Sequence, residues 1–137
     1  MTDFLDFKTL TRPSSPNTYL IAPAGLCDTA EPDDQPPALN KSARGLFSTL
    51  SEIIASERRW TTVEADAEQL RLKFVAKTPL LGFKDDIDIM VIEPDEAAST
   101  DSNAATLAIY SRSRVGYSDM GANRKRVNKL LHTLTIK

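Results

Sequence analysis

Hydrophobic residues recur every three or four positions in two stretches, the spacing that forms one face of an α-helix. The first stretch spans residues 41–58, and Asn40 or Ser42 can cap its start by accepting a hydrogen bond from an unpaired backbone N–H. We expect it to end at the Arg58-Arg59 pair, since cations favour the negative end of a helix dipole. The second stretch spans residues 123–134. The apolar stripes are Leu46, Phe47, Leu50, Ile53 and Ile54 in the first helix, and Val127, Leu130, Leu131 and Leu134 in the second.

Between these two stretches, apolar and polar residues alternate with a period of two, which is typical of half-buried β-strands. The alternation predicts four strands, over residues 60–64, 69–78, 83–93 and 106–115. In the last of them it places Leu107, Ile109 and Val115 on the inner face, and Tyr110, Arg112 and Arg114 on the outer face.

Residues 1–40 have a different character, because they hold six of the eight prolines of the chain. Each proline disfavours helix at its own position and at the residue before it, so we expect an extended segment packed on the domain formed by residues 41–137. The short apolar run Tyr19–Ala22 within it is either an edge strand or a peptide laid across the core.

The order of these elements, α-β-β-β-β-α, predicts a single α+β domain. A meandering antiparallel sheet of about four strands would carry both amphipathic helices on one face. The length of 137 residues suits one domain. The other sheet face would then be partly open to solvent.

The formal charge of −2 conceals an uneven distribution of charge along the chain. Residues 1–40 and residues 41–109 each carry −4, whereas residues 110–137 carry +6. A basic end on an acidic body can steer an anionic partner, and it can equally neutralise the carboxylates of the body itself. The sequence pI near 5.4 and the small size of the basic region argue against a nucleic-acid partner.

Cys27 is the single cysteine, which excludes an internal disulfide and any metal site built from several cysteines. We see no signal peptide and no apolar run near the roughly 20 residues that a membrane span needs, so we expect a cytoplasmic protein. The oligomeric state is left open.

The most site-like stretch is residues 109–127, a strand that passes through a glycine turn into the last helix. Two arginines two positions apart on a strand leave the same face about 6–7 Å from one another, and paired guanidinium groups suit a phosphate, sulfate or carboxylate. The first N–H groups of the following helix also favour an anion. The predicted ligand-binding residues are Arg112, Arg114, Gly121, Asn123 and Arg124, supported by Asp85, Asp86, Asp88, Tyr110, Asp119 and Arg126.

A purely structural interpretation of the same arginines is open. Asp86 and Asp88 lie two apart on a strand of the same sheet, so they can pair with Arg112 and Arg114 across the ladder. Strand alternation sends Asp85 to the opposite face.

Catalytic chemistry finds little support in the sequence. Ser118 and Asp119 read as caps of the last helix, and the only histidine, His132, lies beside the apolar stripe of that helix. The acids near Asp85 lack the spacing of a calcium loop, so we expect no metal and no cofactor. An enzyme using Asp85, Asp86 or Asp119 as a base is the least favoured of the functions considered.

Three segments carry a family resemblance: residues 111–127 (SRSRVGYSDMGANRKRV), residues 12–23 (RPSSPNTYLIAP) and residues 83–88 (FKDDID). In this order they closely resemble the bacterial and plastid family known as domain of unknown function 1499. Many members have a cysteine directly after the Pro-Asn pair, where this chain has Thr18, so no redox or metal role based on that cysteine carries over. The resemblance implies a shared constellation of the motif residues and no particular activity.

Two functions from different classes follow. The first is a non-enzymatic module that recognises an anionic small molecule, a lipid headgroup or an acidic protein surface at the arginine-rich corner. The second is a structural or protein-interaction domain in which the arginine–aspartate network is internal.

Overall fold

Five antiparallel strands and two helices make up the fold in the computed structural model, which describes residues 4–79, 81–94, 104–116 and 118–136. The elements in chain order are β1 (Thr18–Ile21), α1 (Ala43–Ser56), β2 (Trp60–Asp66), β3 (Arg71–Lys77), β4 (Lys84–Ile92), β5 (Thr106–Ser113) and α2 (Ala122–Thr135). The strands are ordered β1-β5-β4-β3-β2 across one open sheet. The predicted α+β class and antiparallel meander are confirmed, and the strand count is corrected from four to five.

The additional strand is β1, which pairs with β5 at one edge of the sheet. Its residues Tyr19 and Ile21 face the helices, while Leu20 faces the other side. Pro16 and Pro23 lie just outside the strand, where their missing N–H groups cost no ladder hydrogen bonds. The short apolar run is therefore an edge strand.

Both helices cover the same face of the sheet, as the amphipathic pattern predicts. Ser42 caps α1 by accepting a hydrogen bond from the N–H of Gly45 at 3.1 Å. The predicted basic end of α1 is wrong, because the helix stops at Ser56. The carbonyl of Arg59 instead accepts a hydrogen bond from the N–H of Lys77 at 2.9 Å, which extends the pairing of β2 with β3.

The N-terminal segment covers part of the opposite face of the sheet. Phe7 and Leu10 are buried there against Leu20, Ala108 and Tyr110. The cover lies toward the end of the sheet that holds Met90 and Ile92. The end that holds the β3–β4 connection is left exposed on this face.

We expect Phe7→Ala to destabilise the fold by about 3–5 kcal/mol, because Phe7 is only 1% exposed and its loss leaves a cavity against the sheet. Urea unfolding followed by circular dichroism measures this. The exposed neighbour Lys8 is the control, and Lys8→Ala should change the free energy of unfolding by less than about 0.5 kcal/mol. Equal, small effects of the two changes would show that the segment does not hold to the sheet.

Candidate functional site

A buried polar network centred on Asn123 joins α2, β5 and the N-terminal segment. Its amide oxygen accepts hydrogen bonds from Ser111 Oγ at 2.6 Å and from Arg126 Nη1 at 2.9 Å. Its amide nitrogen donates to the carbonyl of Asn17 at 2.9 Å and to Asp119 Oδ2 at 2.7 Å. Asn123 is fully buried. An amide side chain suits this position because it can donate and accept hydrogen bonds with several elements at once.

Arg126 extends this network to β4. Its Nη2 donates to Asp85 Oδ2 at 2.8 Å, and the two side chains are only 10% and 2% exposed. Asp85 lies on the helix-facing side of the sheet, as strand alternation predicts. A buried charge is costly without its partner, so this pair fixes where α2 sits on the sheet.

The amino end of α2 is already occupied by a carboxylate of the chain itself. Asp119 accepts hydrogen bonds from the N–H of Gly121 at 2.8 Å and from the N–H of Asn123 at 3.2 Å. Gly121 adopts a left-handed conformation with φ of 81°, which glycine tolerates without strain. The Asp119 carboxylate is therefore the anion that binds at the amino end of α2.

On the opposite face of the sheet, two arginines pair with the carboxylates of β4. Arg114 forms a bidentate ion pair with Asp86, in which each of the two hydrogen bonds is 2.9 Å long. That guanidinium holds the pKa of Asp86 below its usual range, chiefly through the hydrogen bonds. Arg112 Nη1 lies 2.8 Å from Asp88 Oδ2, although that oxygen accepts no aligned hydrogen bond from the described residues. The guanidinium of Arg112 also stacks 5.1 Å above the ring of Tyr110.

The structure therefore divides the predicted ligand-binding residues among different surroundings. Arg112 and Arg114 lie on the face away from the helices, whereas Gly121 and Asn123 lie at the start of α2. Arg124 is exposed beside the buried hydroxyl of Tyr19, whose pKa is raised by burial and by the nearby Asp34. These residues do not meet around one pocket.

Four cationic residues form a row across the exposed end of the sheet, and the sequence pattern did not predict this row. The carbonyl of Arg59 bonds to the N–H of Lys77, Lys77 lies opposite Lys84, and the carbonyl of Lys84 bonds to the N–H of Arg114 at 3.3 Å. Since neighbouring strands lie about 4.8 Å apart, the four residues form one line. We call Arg59, Lys77, Lys84 and Arg114 the cationic row.

Three members of the cationic row lack a carboxylate partner. In the described part of the chain, Arg59, Lys77 and Lys84 make no ion pair within 4.0 Å. With Arg58 and Arg114 they line a groove of about 450 Å³, whose remaining walls are Thr61, Val63 and Val75. Positive charge is concentrated here on a chain that is acidic as a whole.

The strand order of the meander does predict this row, because it determines which strand ends lie next to one another. In an antiparallel meander, the start of β2, the end of β3, the start of β4 and the end of β5 meet at one end of the sheet. A cation stands at each of these four places.

Beside the cationic row lies an apolar cavity of about 720 Å³, between the β3–β4 connection and the loop that leads into α2. Val115 is 56% exposed at its wall, so the predicted inward position of this residue is wrong. The reason is that β5 ends at Ser113, before alternation reaches Val115. The cavity is lined by Thr78, Pro79, Leu81, Phe83, Val115 and Met120, and also by Asp85, Ser113, Gly116, Ser118, Asp119 and Ala122.

A family model described as protein of unknown function (DUF1499) matches residues 9–134. The chain belongs to the DUF1499 family. No curated protein and no solved structure gives a significant match. The description of the DUF1499 family names no activity.

The segments that resemble DUF1499 signatures meet at the Asn123 network. Asn17 comes from the first segment, Asp85 from the second, and Asp119, Asn123 and Arg126 from the third. The constellation holds residues 114–116 and 118–121 in place through Gly116 and Asp119, and these residues form one wall of the apolar cavity. In the described residues, no helix is long and apolar enough to cross a membrane.

Two adjacent aspartates give a matched test of the network. We expect Asp85→Asn to lower the free energy of unfolding by about 3–5 kcal/mol, because Arg126 is left buried without a carboxylate. Asp86→Asn breaks a pair in which Arg114 is 46% exposed, so its cost should be far smaller. Urea unfolding of both variants decides between this ranking and its reverse.

The Asp86 pair should also show in the pH dependence of stability. Because Arg114 lowers the pKa of Asp86 in the folded state, the pair stabilises the fold above the ordinary carboxyl pKa of 3.8, and the effect is lost as the pH falls through the lowered value. Wild type should therefore exceed Asp86→Asn by a constant margin from about pH 7 to pH 5, and the margin should shrink below about pH 4. A margin that grows on acidification would contradict the assignment.

Proposed function

We propose that this domain is a non-enzymatic binding module that recognises an anionic group at the cationic row. The observation that supports this most is the direct opposition of Lys77 and Lys84 on neighbouring strands. Like charges facing each other across a ladder destabilise a sheet, and neither lysine has a carboxylate within 4.0 Å among the described residues. A bound phosphate or carboxylate would remove that repulsion.

The row suits such a group in its shape as well as in its charge. Arg59 and Arg114 stand at the two ends of the line, with the two lysines between them. Arginine binds an oxyanion through a planar fork, whereas lysine contributes a compact charge that can follow the ligand. The Asp86 carboxylate neutralises part of the charge of Arg114, so Lys77, Lys84 and Arg59 carry most of the attraction.

The carboxylates around this end of the sheet support a binding role over catalysis. Asp85 is engaged by Arg126, Asp119 by two backbone N–H groups, and Asp86 by Arg114. Ser118 Oγ accepts a hydrogen bond from the N–H of Met120 at 3.3 Å. These three acids are thus held by contacts within the fold.

The second candidate is a protein-interaction domain with an internal arginine–aspartate network. It is favoured by the pairing of Arg112 with the buried Asp88 and of Arg114 with Asp86. Under this alternative the arginines stabilise the sheet and select no ligand. The cationic row would then contribute only to solubility and long-range steering.

Thermal unfolding separates these candidates. Inorganic phosphate, pyrophosphate, sulfate and citrate are compared at fixed ionic strength, because salt alone screens surface charge. A ligand at ten times its Kd adds about 1.4 kcal/mol by mass action. For a domain of this size that raises the Tm by roughly 5 °C. The double variant Lys77→Gln/Lys84→Gln should lose the shift.

The same double variant gives a second readout in the absence of ligand. Removing two opposed charges should leave the protein as stable as wild type, or more stable by about 0.2–1 kcal/mol. The control is Arg44→Gln/Lys8→Gln, which removes two exposed cations elsewhere and should keep the ligand shift. An absence of any shift in wild type, or an equal shift in both double variants, would rule out recognition at the row.

A further inference from the structure

We infer that this end of the domain docks onto a lipid bilayer that contains anionic phospholipids. The apolar side chains around the cavity would enter the boundary of the acyl chains, and the cationic row would lie at the phosphates. This inference rests on the proposed anion recognition and names the source of the anion.

The first observation is the grouping of exposed apolar side chains. Six large apolar side chains are exposed in the described residues, and four of them surround the apolar cavity. Single exposed apolar residues are ordinary on protein surfaces, whereas a contiguous patch marks an interaction site. The four are Leu81 at 73%, Phe83 at 48%, Val115 at 56% and Met120 at 86% exposed.

The second observation is that the cations border this patch directly. Lys77 precedes Thr78, Lys84 follows Phe83, and Arg114 precedes Val115, so each of these three cations adjoins a cavity residue along the chain. Successive residues of a strand point to opposite faces of the sheet, so the cationic row lies on the face away from the helices, whereas the cavity, which Asp85 and Ser113 also line, lies on the face toward them. The apolar patch and the cationic row therefore meet at the end of the sheet.

Cations also lie on the side of the patch toward α2. Arg58, Arg59, Lys77 and Lys125 line a second groove, which shares Pro79 with the apolar cavity. Positive charge thus flanks the apolar side chains on two sides. A bilayer with anionic headgroups presents the matching arrangement, because a layer of phosphates lies directly above the hydrocarbon.

The nearby carboxylates cancel only part of this charge at long range. Asp85 is 2% exposed and forms an ion pair with Arg126, so those two charges offset one another, whereas Asp119 accepts hydrogen bonds from neutral backbone N–H groups and keeps its negative charge at the cavity wall. Asp86 is paired with Arg114 on the sheet face. The attraction to an anionic surface is carried by Arg58, Arg59, Lys77, Lys84 and Lys125.

The exposed tips favour a bilayer over a single enclosed ligand. Leu81 and Met120 project from the two connections that flank the cavity, and they are more exposed than any other large apolar side chain of the described residues. A small ligand held inside the cavity would contact these two lining side chains on one side and leave the rest of their exposed surface in water. A planar layer of acyl chains would contact the exposed ends of Leu81 and Met120 before the cavity walls.

Sedimentation with vesicles tests the inference. The full chain is mixed with neutral phosphatidylcholine vesicles and with vesicles of phosphatidylcholine and phosphatidylglycerol. We expect binding to the anionic vesicles alone. Leu81→Ser/Met120→Ser should weaken it at least tenfold, because two apolar side chains no longer enter the acyl boundary. Lys77→Gln/Lys84→Gln should weaken it by roughly fivefold for each charge removed.

Matched controls and a soluble lipid separate the outcomes. Ile136→Ser changes a side chain that is 70% exposed away from this surface, and it should bind vesicles as wild type does. Dihexanoyl phosphatidylglycerol below its micelle concentration presents the same headgroup without a bilayer. Binding to this lipid or to inorganic phosphate without binding to vesicles would overturn bilayer docking and keep the proposed anion site. Vesicle binding that ignores both lysines would contradict the anion site, and binding that ignores both apolar residues would overturn docking.

Discussion

The position of α2 on the sheet depends on one buried amide, Asn123, and on the ion pair between Arg126 and Asp85 beside it. A fully buried amide needs partners for its donors and its acceptor, and here they come from β5, the N-terminal segment and the turn before α2. Because each partner lies on a different element, the helix has one position at which all are satisfied. The loop between β5 and α2 is held by the same contacts, and it shapes the apolar cavity.

Charge is used in two different ways in this molecule. Where arginine and aspartate meet on the sheet faces, as in Arg112 with Asp88, opposite charges compensate one another and belong to the fold. At the end of the sheet, Lys77 and Lys84 face each other, and neither has an ion-pair partner among the residues that the structure describes. The first arrangement stabilises the folded state by itself. The second is the physical basis of the proposed anion recognition, because a bound anion would remove the repulsion between the two lysines.

Periodicity predicted both helices, the four strands of the meander and the shared face of the helices, because burial of one face imposes that pattern on any sequence. It failed where a local signal had two solutions. The run Tyr19–Ala22 was too short and too closely bounded by proline to decide between an edge strand and a peptide laid across the core. The Arg58-Arg59 pair is compatible both with the end of a helix and with the start of a strand. The hydrogen bond from Lys77 to Arg59 shows that Arg59 continues the pairing of β2 with β3. The face of the sheet that Phe7 covers depends on contacts between residues far apart in the sequence, which periodicity does not predict.

For the candidate site, the sequence by itself determined which residues carry charge, that Arg112 and Arg114 share a sheet face, and that Asp85 lies opposite Asp86. Those relations follow from the period of a single strand. The sequence also predicted Asp119 at the start of the last helix. Tertiary structure alone decided that Arg126 reaches Asp85, and that cations at the ends of four strands form one row. The reason is that pairing register and helix placement join residues many positions apart, and local sequence periodicity contains no distance between them.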